Sequence, residues 1–175
     1  MTAVAPVATG VSFAQGSDEW HRWRKKALND LFFMNSVVLG YANRFALEED
    51  THLVPHKFLE RKTGIPELDE APMQLILWPR EVGKSTCGTR GAAIQLACSN
   101  PEVAILLVNE KQETAGDFLS EIKQHFEQNE LLRFLFPEVI PLDFNKTTWS
   151  ATRATLRRDN ARPECTFETI GVGGT

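Results

Sequence analysis

Gly83-Lys84-Ser85-Thr86 places a glycine, an ammonium and two hydroxyls side by side, and their surroundings decide what they can do. The apolar run Met73–Trp78 comes first and reads as a strand. Pro79–Gly83 then reads as a loop, and Lys84–Cys98 as a helix. Strand, loop and helix in that order is the setting in which a chain wraps a phosphate. Backbone N–H groups from Glu81 to Thr86 can surround an anion, and the helix N-terminus adds partial positive charge. Gly83 removes a Cβ where the chain passes closest to the phosphate. Lys84 can reach the β- and γ-phosphates of a nucleotide, and the Ser85 hydroxyl suits Mg²⁺. The candidate binding residues are therefore Pro79, Arg80, Glu81, Val82, Gly83, Lys84, Ser85 and Thr86, with Ser85 as metal ligand.

One position, Trp78, departs from the common pattern G-x-x-x-x-G-K-[ST], and one residue inside the loop, Arg80, adds to it. Trp78 stands where the first glycine would be, and is expected to be buried at the strand–loop junction, stiffening the loop from beneath. Arg80 lies inside the loop, where a fixed guanidinium can offset charge developing during phosphoryl transfer. The other reading of Arg80 is a side chain turned to solvent or paired with Glu81. Arg80 and Lys84 are the candidate catalytic residues. Hydrolysis also needs a strand ending in a carboxylate that holds the metal and orients water. The only internal candidate is Val103–Val108 followed by Asn109-Glu110, and asparagine substitutes poorly there. The carboxylates are expected beyond Thr175.

Weaker signals lie elsewhere. His52 and His56 have the i, i+4 spacing of zinc ligands, but Pro55 between them is expected to disrupt the helix that would align them. Lys146, Arg153, Arg157, Arg158 and Arg162 form a basic stretch opposed only by Asp159. They could meet DNA phosphates or a neighbouring subunit, though a solvated hairpin face is the simpler reading. Trp20, Trp23 and Phe32 read as core.

The elements that must position the loop can be traced along the chain. Residues 1–16 read as a flexible arm and residues 17–72 as a helical segment. Ser17 is a natural N-cap, with Asp18 and Glu19 in the first turn. Asn35–Arg44 reads as a second helix or a bent continuation. Leu53–Pro72, interrupted by three prolines and a glycine, reads as one short helix between loops. Residues 73–175 read as a partial core. Val103–Val108 reads as a buried strand, Ala115–Phe126 as an amphipathic helix, and Leu131–Leu135 as a helical turn. Trp149–Leu156 and Cys165–Val172 read as strands. The expected class is α/β: a mainly parallel, incomplete sheet of the phosphate-loop type behind a helical segment. The sheet looks cut short, because so few strands would leave an edge unpaired. A formal charge of −4, with 42% hydrophobic and 24% charged residues, fits a soluble globular chain and not a basic nucleic-acid coat. Three cysteines without a C-x-x-C pair suggest a reducing compartment and buried thiols.

Pro79-Arg80-Glu81-Val82-Gly83-Lys84-Ser85-Thr86 resembles the variant Walker A of the large terminase subunits of tailed bacteriophages. That family often lacks the first glycine and carries arginine at the position of Arg80. The likeness runs through Thr89-Arg90, Asn100-Pro101, Ile105–Asn109 and the Glu113–Ile122 helix to Phe136-Pro137-Glu138. It also takes in Asp30–Phe33, Val38–Tyr41, Pro55-His56, Trp149 and the closing Gly171–Thr175. The resemblance implies an N-terminal part of a P-loop NTPase, truncated before Walker B, from a motor that uses ATP and Mg²⁺ to pump double-stranded DNA into a capsid. It implies a C-terminal nuclease, a small terminase subunit and a portal as partners, and a homo-oligomeric ring. The setting would be the cytoplasm of a bacterial host and, transiently, the procapsid portal, without a membrane. Such a part should bind ATP weakly and hydrolyse it poorly. Two other readings stay open: another P-loop ATPase or kinase using Asn109-Glu110 or Asp143, and a non-catalytic interaction domain that keeps the loop.

Overall fold

The computed structural model describes residues 12–45, 47–160 and 162–173. Most of the arm expected over residues 1–16 lies outside them. The part that is described is packed: Phe13 sits on Trp23 and Phe134, with ring centroids 5.4 and 5.7 Å apart. Helix α1 (Asp18–Asn29) starts where the Ser17 hydroxyl accepts from Trp20 N–H at 3.3 Å. It buries Trp20 and Ala27, and the Trp20 indole donates to the Phe134 carbonyl at 3.0 Å. Arg24 lies over the Trp20 and Phe136 rings and reaches Glu138, so α1 is fastened to the Phe136–Glu138 segment by stacking as well as charge.

After Asp30, the chain continues as α2 (Leu31–Phe33), a π-helical turn (Met34–Val38) and α3 (Tyr41–Phe45), with Gly40 at φ 72° between the last two. The bent continuation is thus the form observed. Helix α4 (Glu49–Leu59) runs through Pro55, contrary to the expected break. Proline removes the N–H that would bond to the Thr51 carbonyl. Thr51 lies on the exposed side of the helix, where water can satisfy that carbonyl. A second short helix, α5 (Pro66–Asp69), follows where only loop was expected. Asp69 ties it down by accepting from Thr63 N–H, the Thr63 hydroxyl and Gly64 N–H, contacts that hold its carboxyl below its ordinary pKa.

The sheet is small and mixed. It consists of β1 (Ile105–Asn109), β2 (Arg153–Ala154) and β3 (Phe167–Gly171) in the order β1-β3-β2. β1 and β3 are parallel, with Ile105 opposite Phe167 and Asn109 opposite Gly171; β2 is antiparallel to β3. The expectation of a mainly parallel sheet is corrected in two places. Met73–Trp78 forms no strand, and Met73, Leu75 and Leu77 are 86, 76 and 86% exposed. Apolar character alone does not make a strand; the backbone groups need a partner strand, and no described strand pairs with this run. Trp149–Leu156 is a turn, not one continuous strand. The Ser150 hydroxyl accepts from the Thr152 and Arg153 N–H groups, folding Trp149 back against Ala154.

The helix that follows the glycine loop opens at Lys84, is π-helical over Ser85–Ala92 and continues as α6 (Ala93–Ser99). Helix α7 (Gln112–Gln128) buries Ala115, Leu119, Ile122 and Phe126, one helical face as the spacing predicts. The Phe126 and Phe167 rings stand 6.1 Å apart, joining this helix to β3. Helix α8 (Glu130–Leu135), capped by Asn129, completes the core. On the opposite side of the sheet Leu106, Val108 and Ile170 are exposed. Among the described residues, no helix is long and apolar enough to cross a membrane.

Candidate functional site

The loop between Trp78 and Lys84 turns through two left-handed residues, Glu81 (φ 69°) and Gly83 (φ 75°). Left-handed backbone costs an L-residue roughly 1–2 kcal/mol, so conformation is what calls for glycine at 83. Within the protein a Cβ there would have room, 3.6 Å from Cys87 Sγ and 3.7 Å from Leu47 Cδ2, ordinary contacts. The concave side is a cavity of about 400 Å³ lined by Pro79, Arg80, Glu81, Gly83, Lys84, Ser85 and Thr86. Seven of the eight predicted binding residues therefore share one space; Val82 is the exception.

Each functional group has a definite place. The Lys84 ammonium donates to the Trp78 carbonyl at 3.2 Å, bridging the two ends of the loop. Ser85 is half-buried at the helix start. Arg80 and Glu81 are exposed, and no ion pair joins them. Thr86 is 3% exposed, and its hydroxyl accepts from Arg90 Nη2 at 3.0 Å, which leaves Ser85 the better placed hydroxyl for a cation. Arg90 also pairs with Glu121 of α7 and lies 5.7 Å from the Phe118 centroid. The helix that presents the loop is thereby clamped to the helix that covers the sheet.

Behind the loop stands α4. His52 and His56 lie on its buried side, 6 and 0% exposed, because the helix is unbroken at Pro55. Their ring nitrogens are engaged by the protein. His52 Nε2 meets the Val82 carbonyl at 3.3 Å, and its ring stands edge-on to Trp78 at 5.5 Å. Trp78 is accordingly half-buried against a side chain, not fully buried at a strand end. His56 Nδ1 donates to the His52 carbonyl at 2.5 Å, and its Nε2 accepts from Asn35 Nδ2 at 2.9 Å. Burial pushes the His56 pKa down. Asn35 also donates to the Cys87 carbonyl and presses on Gly91, where a Cβ would fall 1.7 Å from Asn35 Oδ1. Burial raises the Cys87 thiol to about 11 and pushes Cys98 up further. The described residues contain no group of three or more His, Cys, Asp or Glu that could hold a metal ion.

Several predicted candidates stand apart from the loop. Glu110 is exposed at the end of β1, does not line the loop cavity, and accepts from Gly173 N–H through its backbone carbonyl. Asp143 caps the 3₁₀ turn Phe144–Lys146 and pairs with Lys146. Arg153 pairs with Glu168 and Arg162 with Glu102, while Arg158 donates to the Arg162 and Glu164 carbonyls. Most of the basic stretch is thus neutralised within the fold. A second, apolar cavity of about 520 Å³ adjoins the loop at Trp78, with Val54, Phe58, Leu75 and Leu77 among its walls. Sequence reasoning missed His52 as a neighbour of the loop, although its spacing from His56 had marked the pair. Arg90 carried no signal of its own beyond its place in the terminase resemblance. No family model matches the chain, and no curated protein or solved structure matches it.

Proposed function

We propose that Pro79–Thr86 is the triphosphate site of a P-loop NTPase core, and that the chain is the ATP-binding part of a viral DNA-packaging motor of the large-terminase type. In this reading ATP hydrolysis drives double-stranded DNA into a capsid. The small terminase subunit, the portal and a ring of copies in the host cytoplasm belong to the same reading. The observation that carries the nucleotide assignment is the loop itself: an ammonium, a hydroxyl and a helix N-terminus around one open cavity of about 400 Å³.

Lys84 would exchange the Trp78 carbonyl for phosphate oxygens, a stronger, charge-assisted partner. Ser85 would hold Mg²⁺, which supplies charge neutralisation between phosphates when bound. Arg80, exposed at the rim, would meet the terminal phosphate. Among the described residues, Glu81 of the loop is the one carboxylate that lines the cavity, and turnover should be slow where no further carboxylate orients water. The test is Lys84→Ala. A hydrogen bond to a charged group contributes about 1.5–3 kcal/mol, so Mg–ATP affinity measured calorimetrically should fall roughly tenfold or more. Equal affinity in the folded variant would remove the assignment.

A further inference from the structure

Helix α4 touches the loop through one imidazole, and the hydrogen bonds around that ring fix its tautomer. Nδ1 of His52 lies 3.0 Å from Glu48 N–H and 3.1 Å from the Glu48 carbonyl, while Nε2 lies 3.3 Å from the Val82 carbonyl. With the proton on Nε2, Nδ1 accepts from Glu48 N–H and Nε2 donates to Val82, satisfying two contacts. With the proton on Nδ1, only the Glu48 carbonyl is satisfied, and a nitrogen lone pair faces the Val82 oxygen. The Nε2–H form is favoured.

The consequence for the loop follows from the peptide plane. The bond between Val82 and Gly83 is trans, so its C=O and N–H point in opposite directions. Holding the Val82 oxygen on His52 turns the Gly83 N–H away from α4. Gly83 lines the cavity, and no described group takes its N–H. Val82, the one loop residue outside the cavity lining, is the residue turned the other way. The same ring braces Trp78, so a single side chain steadies both ends of the turn.

We infer that His52 is a positioning residue for the phosphate loop: its Nε2–H holds the Val82 carbonyl and thereby aims the Gly83 N–H at the anion. The inference rests on the nucleotide reading above. Donors fixed in advance bind an anion without the cost of ordering them at the moment of binding. The upstream helical segment is then part of the nucleotide site, although it touches no ligand.

Four variants test this: His52→Phe, His52→Gln, His52→Asn and Lys84→Ala. Phenylalanine keeps a ring against Trp78 without a donor, glutamine carries an N–H about as far as Nε2, and asparagine carries one that falls short. Affinities for Mg–ATP and for inorganic triphosphate are measured by calorimetry, and folding is checked by thermal unfolding. The Phe and Asn variants should weaken both ligands equally, about fivefold, the size of one hydrogen bond. The Gln variant should return to within about twofold of wild type. If Phe does not fold, the contrast between Asn and Gln decides. Wild-type affinity in Phe and Asn, or equal loss in all three, overturns the positioning role while Lys84→Ala still reports on the site. Failure of the wild-type protein to bind either ligand overturns both readings.

Discussion

Met73–Trp78 and Ile105–Asn109 are both short apolar runs, yet they end in opposite states. Ile105–Asn109 is β1: it pairs in register with β3 along its whole length and lies under α7. Met73–Trp78 has no strand partner, and its leucines face solvent. Hydrophobicity does not separate them; the availability of a second backbone does. Even β1 is covered on one side only, with Leu107 buried and Leu106 and Val108 exposed. Both apolar runs thus have less cover than their composition calls for, whereas the core beneath α7 is closed.

The largest expected effect lies on the closed side. Phe126 is fully buried and meets Phe167 across the α7–β3 contact. Phe126→Ala should cost about 3–5 kcal/mol, the usual loss for a buried aromatic and its cavity. Chemical denaturation at fixed m-value measures it. A loss below about 1 kcal/mol would mean that α7 is not seated on the sheet in solution, and the contrast between the two runs would lose its firm half.

What sequence could show of this contrast follows from which forces are local. The α1 start was legible because Ser17 and its acidic neighbours act within one turn. The α7 face was legible because Ala115, Leu119, Ile122 and Phe126 repeat at helical spacing. The loop was legible because a glycine, a lysine and a serine must be consecutive to surround one anion. Its glycine was read only as clearance for a phosphate, since the positive φ that also calls for glycine is invisible in a sequence. The run of α4 through Pro55 was missed because Pro55 is a local signal against helix, while the burial of His52 and His56 that favours it comes from distant residues. The role of His52 was hidden for the same reason: its partner, Val82, lies thirty residues on.

The second expected effect concerns the polar layer that joins α4 to the helix after the loop. His56 is buried and neutral, donating from Nδ1 and accepting at Nε2 from Asn35. A proton on Nε2 would set two donors against each other. Its folded pKa lies below the unfolded value of 6.5, chiefly because burial penalises the cation. The unfolded chain then binds more protons than the folded one in the window just below pH 6.5. Stability from this group is therefore complete above pH 6.5 and declines as pH falls toward the folded pKa. Melting temperature should drop between pH 7.5 and 5.5 in the wild type and change less in His56→Gln. Identical pH slopes in the two proteins would show that His56 is not held neutral, and the layer behind the loop would be looser than its hydrogen bonds imply.

The smallest effect is the sharpest test of the comparison. Leu77 is 86% exposed and separated by one residue from the loop that Lys84 closes. A side chain already in water loses almost nothing when it becomes polar, so Leu77→Ser should alter stability by no more than about 0.5 kcal/mol. In a chain of this size that is roughly 1–2 °C in melting temperature. Leu107→Ser, the same change on the buried side of β1, is the natural reference, because there a hydroxyl would enter the α7–sheet contact without a partner. If Leu77→Ser lowers the melting temperature by several degrees at high protein concentration and by none on dilution, Met73–Trp78 is covered by another chain. The exposed run would then be a strand awaiting its partner, and its difference from β1 would be one of assembly and not of sequence.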